Sequence, residues 1–179
     1  MRIIAGRAKG TRLVAPQGRD VRPTLDRVRE ALFSILTPYL DDCTFLDLYA
    51  GTGANGIEAL SRGAARATFV DNDARAIDAI TRNLAAARLT EFSSIRRLNL
   101  PNDVSQLKGT PYNIIFCDPP YAKVEYSILL EQIAIAQLVA PEGIVVIEHA
   151  SKASLPDNIL SLNRFRTATY GDTGLSFFT

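Results

Sequence analysis

Residues 44–56 read TFLDLYAGTGANG, and this stretch decides the fold. An apolar run containing one acid, Asp47, is followed by three closely spaced glycines, and a segment with helical character then reaches about Arg62. Glycines in this place permit a tight turn and let the backbone approach a ligand closely. The stretch therefore predicts the first strand, loop and helix of a doubly wound α/β sheet.

The rest of the chain repeats the same alternation. Apolar runs predict strands at 65–71, 94–98, 112–117 and 144–148, with helices at 74–88 and 128–138, an earlier helix that begins at Thr24, and a closing antiparallel hairpin at 164–178. The runs are apolar throughout, with no polar residue at every second position. Parallel strands that are covered on both faces have this pattern.

The glycine loop has two interpretations. Gly51, Gly53 and Gly56 match the dinucleotide fingerprint, and Asp71 ends the next strand, where a ribose-binding acid belongs. Asp47 argues against a dinucleotide, because a carboxylate beside the loop would repel a pyrophosphate. S-adenosylmethionine carries an ammonium and a sulfonium and has no phosphate. The loop therefore favours S-adenosylmethionine over a nicotinamide dinucleotide.

A second motif, Asp118-Pro119-Pro120-Tyr121, directly follows the strand at 112–117. Ligands of open α/β sheets bind outside the carboxyl ends of the strands, so both motifs belong at one edge. An exocyclic base amine is a poor nucleophile, and hydrogen-bond acceptors that hold its N–H groups direct its lone pair. Asp118 and the Pro119 carbonyl are suitable acceptors, and Tyr121 offers a stacking face. A simple strand-ending turn is the alternative explanation of the tetrapeptide alone.

Charge is unevenly distributed along the chain. Residues 1–29 hold eight basic and two acidic residues, whereas the other 150 residues have a net charge of −5. The basic residues alternate with apolar ones, and residues 2–14 predict two short strands around a glycine turn. This basic arm predicts contact with RNA, although a solvated surface would have the same composition.

Several features exclude other classes of protein. Cys43 and Cys117 lie in apolar surroundings, which indicates no disulfide and a reducing compartment. No apolar run approaches the length of a membrane span, and no signal peptide or metal site is predicted, so a cytoplasmic protein is expected. His149, the only histidine, is given no catalytic role. Glu58 and Arg62 are predicted to form an exposed ion pair.

Four longer segments extend these motifs into a family resemblance. RIIAGRAKGTRL (2–13), RPTLDRVREALFSIL (22–36), GIEALSRGA (56–64) and YGDTGLSFF (170–178) are similar to the RsmD family of bacterial rRNA methyltransferases. The resemblance implies methyl transfer from S-adenosylmethionine to N2 of a guanine in 16S rRNA, on an assembled or assembling small subunit. It also implies a seven-stranded sheet of order 3-2-1-4-5-7-6, a small N-terminal hairpin extension and a monomer.

Single residues are expected to have roles, which we group by function: the resemblance implies those of the tetrapeptide, the loop at 47–53 and Asp71, and the basic arm predicts the RNA set. The catalytic set is Asp118, Pro119, Pro120 and Tyr121. The cofactor set is Asp47, Tyr49, Ala50, Gly51, Thr52, Gly53, Asp71, Asn72 and Asn99. The RNA set is Arg7, Lys9, Arg12, Arg22, Thr24 and Arg27. Two positions depart from the family pattern: Asn55 replaces an apolar residue, and RRLNLPND (96–103) lacks the expected Asp-Ala pair, so Asn99 and Asp103 both stay candidates for the adenine amine.

We expect residues 1–24 to be an RNA-contacting extension and residues 25–179 to be the methyltransferase domain. Two other functions compete with this interpretation. A DNA adenine or cytosine amino-methyltransferase shares the tetrapeptide, but this chain has no room for a separate target-recognition domain. A non-catalytic RNA-binding protein with a vestigial cofactor pocket is the other, and the intact Asp118 and glycine loop argue against it.

Overall fold

Strands and helices alternate along the chain, as the sequence predicts. The computed structural model describes residues 1–16, 24–109, 111–120 and 125–179. The helices are α1 (Thr24–Leu36), α2 (Ala54–Ser61), α3 (Ala74–Ala87) and α4 (Tyr126–Ile135). The strands are β1 (Thr44–Leu48), β2 (Arg66–Asp71), β3 (Ser93–Arg97), β4 (Tyr112–Cys117), β5 (Val139–Ala150), β6 (Asn158–Ile159), β7 (Leu162–Tyr170) and β8 (Thr173–Phe178). Within these ranges, no helix is long and apolar enough to cross a membrane.

The eight strands of the described residues form one sheet in the order β3-β2-β1-β4-β5-β8-β7-β6. The first five strands are parallel, and β8 and β7 complete the sheet antiparallel to their neighbours. The predicted count of seven strands is wrong, because the two-residue strand β6 also pairs with β7. Two residues give too short a pattern to detect in a sequence. Without β6, the other strands are arranged in the predicted order.

Both faces of the sheet are covered, as the uniformly apolar strands predict. Along β4, Ile114 and Phe116 pack into one buried cluster, and Ile115 and Cys117 pack into the other. The first cluster includes residues of α1, α2, α3 and the N-terminal segment, and the second includes residues of α4. Cys43 and Cys117 are buried and free, which agrees with the absence of a disulfide framework.

The N-terminal segment differs from its prediction. The two expected strands are reduced to a single bridge between Arg2 and Arg12. Backbone hydrogen bonds still cross the segment, and at its tip two further backbone groups bond to α2. The Arg7 N–H donates to the Ser61 carbonyl (2.8 Å), and the Ala8 N–H donates to the Ser61 hydroxyl (2.9 Å). A Cβ on Gly6 would lie 1.8 Å from that Ser61 carbonyl oxygen, so the close contact requires glycine.

Glu58 fixes this segment to the rest of the protein. Its carboxylate accepts hydrogen bonds from the Ile4 N–H (2.8 Å) and the Ala5 N–H (3.0 Å). It also pairs with Arg62 (2.7 Å) and lies 3.9 Å from Arg29. The predicted exposed ion pair is therefore wrong, because Glu58 is fully buried beneath the N-terminal segment. One carboxylate joins that segment, α1 and α2.

We expect Glu58→Ala to lower the free energy of unfolding by about 3–5 kcal/mol, because it leaves buried cations and backbone N–H groups without an acceptor. Urea denaturation measures this change. Asp78→Ala is the matched control, since Asp78 and Arg82 form an i,i+4 pair on α3 that is exposed. The control should change stability by less than about 1 kcal/mol. Equal losses in the two variants would contradict the role given to Glu58.

Candidate active site

The two sequence motifs meet at one edge of the sheet. In the parallel register, Leu48 at the end of β1 pairs with Val70 of β2 and with Cys117 of β4. The Asp118 N–H reaches the Leu48 carbonyl (3.4 Å), and the Ala50 N–H donates to the Val70 carbonyl (3.0 Å). The glycine loop and the acidic tetrapeptide therefore begin side by side at the carboxyl ends of neighbouring strands.

Two glycines give the loop its shape for different reasons. Gly53 has φ 75°, a left-handed conformation that favours glycine, and its N–H donates to the Ala50 carbonyl (2.7 Å) to close the turn. Gly56 lies in α2, where a Cβ would be 2.3 Å from the Phe69 ring. The helix can therefore pack directly against β2, and its first turn points back toward the strand ends.

Asp47 lies beneath the loop. It is 1% exposed, and its carboxylate accepts a hydrogen bond from the Gly56 N–H (2.8 Å). Burial raises the pKa of Asp47 well above its ordinary value, and the carboxylates of Asp118 and Asp71 raise it further. The environment of Asp47 is therefore one in which a cationic ligand would be stabilised and a pyrophosphate repelled.

Asp71 is also buried and is bound to the loop. One carboxylate oxygen accepts from the Gly51 N–H (2.9 Å), and the other accepts from the Asp73 N–H (3.0 Å). A carboxylate has about four lone-pair positions, so both oxygens keep capacity for hydroxyl groups of a ligand. Its neighbour Asn72 is exposed, and the Asn72 carbonyl accepts from the Arg97 side chain (3.0 Å).

Unsatisfied polar atoms at this edge also point to a ligand. The hydroxyls of Tyr49 and Tyr126 are buried and have no hydrogen-bond partner among the described residues. Burial is the main reason that the pKa of each tyrosine is raised, so both hydroxyls keep their protons and can donate. A buried hydroxyl left unpaired costs about 1–3 kcal/mol. With three nearby carboxylates, these donors and acceptors fit a cationic, hydroxyl-bearing group such as S-adenosylmethionine.

The turn after β3 contains both candidates for an adenine contact. The Asp103 carboxylate accepts from the Asn99 backbone N–H (2.8 Å), and the Asp103 N–H donates to the Asn99 carbonyl (3.0 Å). Asp103 therefore helps to hold the turn, whereas Asn99 is exposed at the edge. This arrangement favours Asn99 as the residue that meets a ligand.

Three members of the tetrapeptide fall within the described residues. Asp118 is half-buried, Pro119 is buried and Pro120 is exposed. Tyr121 lies outside the described residues, as does Arg22. In the part of the chain that the structure describes, no group of three or more histidine, cysteine or acidic residues is placed to hold a metal ion.

Comparison with known proteins identifies the family. The family model described as Conserved hypothetical protein 95 matches residues 1–179. Ribosomal RNA small subunit methyltransferase D of Escherichia coli is 38% identical over 87% of this chain and 78% of its own. The chain belongs to the RsmD family. The resemblance seen in the sequence is thereby confirmed.

Two further relatives extend the RsmD comparison over nearly the whole chain. YlbH of Bacillus subtilis, provisionally named an rRNA methyltransferase, is 38% identical over 99% of this chain and 98% of its own length. The solved structure of yhhF from Escherichia coli, provisionally named a methyltransferase, has a TM-score of 0.88 at 34% identity and covers 99% of this chain and 96% of its own. The Rossmann-like methyltransferase fold is therefore confirmed.

Arg7, one of the predicted RNA set of this RsmD-family chain, lies away from the candidate active site. Arg7 stands beside Ser61, at the end of α2 that is about 12 Å from the glycine loop, given the rise of an eight-residue helix. Its guanidinium lies 4.3 Å from the centroid of Phe92, which precedes β3. Arg7 is therefore near the opposite edge of the sheet from Asp118.

A cleft of about 440 Å³ separates the N-terminal segment from α1. Lys9 and Arg27, which the sequence assigned to RNA, line it together with Arg2, Asp26 and Glu30. Arg2 was not predicted, although its basic charge beside apolar Ile3 was a usable signal. Arg12 is exposed and forms the bridge with Arg2. The side chain of Thr24 is not among those that the structure describes.

The raised pKa of Asp47 predicts a pH dependence of stability for the ligand-free protein. Because the folded-state pKa is above the unfolded one, the stability that this group contributes is present at acid pH and is lost as pH rises through the folded value. We expect Asp47→Asn to match the parent near pH 4 and to have a higher Tm than the parent at pH 7. Exposed Asp41→Asn serves as the control and should leave the pH dependence unchanged. A lower Tm for Asp47→Asn at pH 7 would contradict this reasoning.

Proposed function

We propose that this protein transfers a methyl group from S-adenosylmethionine to the exocyclic N2 of a guanine in 16S rRNA, within an assembled or assembling small subunit. One observation carries the proposal: the glycine loop and Asp118-Pro119-Pro120 begin next to each other at the ends of β1 and β4. Membership of a family whose relatives are named for small-subunit rRNA methylation supports the substrate.

The cofactor would lie along the strand ends, from the loop at 49–53 to the turn after β3. The buried carboxylate of Asp47 favours its positive charge, and Asp71 with Asn72 accepts the ribose hydroxyls. Asn99 binds the adenine amine, because the Asp103 carboxylate already holds the Asn99 backbone. The loop backbone, free of side chains at Gly51 and Gly53, contacts the methionine part.

We expect Asp71→Ala to weaken S-adenosylmethionine binding by about 1–3 kcal/mol, the cost of losing hydrogen bonds to a charged group. Asp71→Asn keeps one acceptor and should lose less. Isothermal titration measures both variants, with the exposed Asp78→Asn as a control of unchanged affinity. The dinucleotide alternative is tested in the same experiment, because NAD should not bind at micromolar concentration. Full affinity in folded Asp71→Ala would refute the ribose assignment.

The chemistry of transfer requires little more than correct placement. When bound, S-adenosylmethionine supplies a methyl group on a positively charged sulfur that leaves as a thioether. Asp118 and the Pro119 carbonyl hold the guanine amine so that its lone pair faces that carbon, and Tyr121 stacks on the base. The new N–C bond forms as the C–S bond breaks, with the electron pair passing to sulfur. The surplus amine proton is then lost to water.

Substitutions of Asp118 test the acceptor role. Asp118→Asn keeps a carbonyl oxygen and should slow single-turnover methyl transfer to small subunits by about tenfold. Asp118→Ala removes the acceptor and should slow transfer by about 100-fold or more. Affinity for S-adenosylmethionine, measured separately, should stay within about twofold in both variants, because Asp118 contacts the base. An Asp118→Ala variant as fast as the parent would rule out this mechanism.

The proposal extends to the residues that would contact the RNA. We assign RNA contact to the extension at 1–24 through Arg7, Lys9, Arg12, Arg22 and Thr24, and to Arg27 at the start of the catalytic domain at 25–179. The protein would act as a monomer in the cytoplasm, where small subunits assemble. The same assay with duplex DNA distinguishes the DNA amino-methyltransferase alternative, because transfer to DNA should not occur.

A further inference from the structure

The hydroxyl of Tyr126 is a buried polar group near the end of β5, the strand that neighbours β4 and Asp118 in the sheet. Tyr126 is the first residue of α4, and its hydroxyl is buried without a hydrogen-bond partner in the described ranges. Burial raises the pKa of Tyr126 and the Asp118 carboxylate raises it further, whereas the Ala150 backbone N–H, which approaches the hydroxyl oxygen without completing a well-formed hydrogen bond, lowers it. The hydroxyl therefore keeps its proton and lies within electrostatic reach of Asp118. It is a hydrogen-bond donor that the methyl-transfer mechanism above does not use.

His149 supports the ring of Tyr126. The two rings meet edge to face, with centroids 6.1 Å apart and planes at 70°. The Nδ1 of His149 contacts the Ala150 carbonyl (2.8 Å), and Nε2 contacts the Ser176 hydroxyl (2.9 Å). A carbonyl only accepts, so Nδ1 carries a proton; burial lowers the pKa of His149, which favours the neutral ring, and Nε2 then accepts from Ser176. His149 is thus a neutral side chain that supports the ring of Tyr126. Its Nε2 lone pair already accepts a hydrogen bond from Ser176, so His149 is given no role as a base.

The hairpin of β7 and β8 holds the His149 ring in place. A Cβ on Gly174 of β8 would lie 2.4 Å from the His149 ring, so this position has space only for glycine. The Ser176 hydroxyl also contacts the Thr167 hydroxyl of β7 (3.2 Å), which can donate to it. The segment YGDTGLSFF (170–178), one of the four that carry the family resemblance, therefore contacts His149 through Gly174 and Ser176.

The sheet register brings these groups to the same edge. Cys117 of β4 pairs with Ile147 of β5, so Asp118, one residue further on, and His149, two residues further on, both lie near the carboxyl ends of these neighbouring strands. We propose that Tyr126 is a positioning residue whose hydroxyl donates a hydrogen bond to the Asp118 carboxylate when the target base is bound, while His149 and Ser176 hold its ring. One carboxylate oxygen is then fixed by Tyr126, and the other faces the target amine. The inference rests on the proposed function, since that function makes Asp118 the acceptor.

Tyr126→Phe tests this contact because it removes the hydroxyl and keeps the ring. With small ribosomal subunits as substrate, we expect kcat to fall by about tenfold, and KM and cofactor affinity to stay within about twofold. The Tm should be unchanged or higher, because a buried hydroxyl without a partner is removed. The matched control is Tyr112→Phe: its buried hydroxyl bonds Thr68 (3.3 Å) at the opposite end of β4, and its loss should not affect kcat.

A double-mutant cycle separates positioning from general structure. If Tyr126 acts through Asp118, Tyr126→Phe should lower kcat much less in an Asp118→Asn background than in the parent, because the carboxylate is already absent there. Gly174→Ala, which displaces His149, should lower kcat in the parent and add little to Tyr126→Phe. A Tyr126→Phe variant with the parent kcat, or the same loss in both backgrounds, would overturn the inference and leave the proposed function standing. A parent protein that transfers no methyl group would overturn both.

Discussion

The Asp47 carboxylate accepts a hydrogen bond from the Gly56 N–H inside the protein, and the glycine loop is built around that bond. The bond joins the end of β1 to the first turn of α2, so the chain between them must reverse within a few residues. Phe69 packs against the same helix where Gly56 has no side chain, and this contact keeps α2 close to β2. The site therefore depends on a buried acid, Asp47. Burying its charge destabilises the ligand-free protein, and a bound cation would offset that destabilisation.

The neighbouring acids extend this constraint. Asp71 binds Gly51, and Asp118 follows the strand on the other side of β1, so three carboxylates surround the loop. Like charges this close raise the free energy of the ligand-free state. The hydroxyls of Tyr49 and Tyr126 are buried near the same strand ends and have no hydrogen-bond partner among the residues that the structure describes. At this edge of the sheet, the carboxylates therefore repel one another and the two hydroxyls lack hydrogen-bond acceptors among the described residues. Such repulsion and unsatisfied hydrogen bonding are typical of a ligand-binding site.

Sequence reasoning located the sheet and the two motifs because both depend on local patterns. The apolar run at 112–117 and the glycines after β1 are visible in a short window, and the parallel register then brings their ends together. Glu58 was misjudged because its burial depends on backbone groups of Ile4 and Ala5, more than fifty residues away. Tyr126 was missed for the same reason, since its ring contact comes from His149 of β5. Long-range partners of polar groups leave no periodic signal.

The attachment of the N-terminal segment to α2 has a consequence for the RNA. Glu58 and Ser61 hold this segment along a helix that starts at the glycine loop, so the tip that carries Arg7 cannot move independently of the cofactor site. Any phosphate that Arg7 contacts is then held at a set spacing from the base that accepts the methyl group. Under the proposed function, only an RNA already folded to present both points at that spacing would be a good substrate, so the shape of the RNA would be selected before methyl transfer.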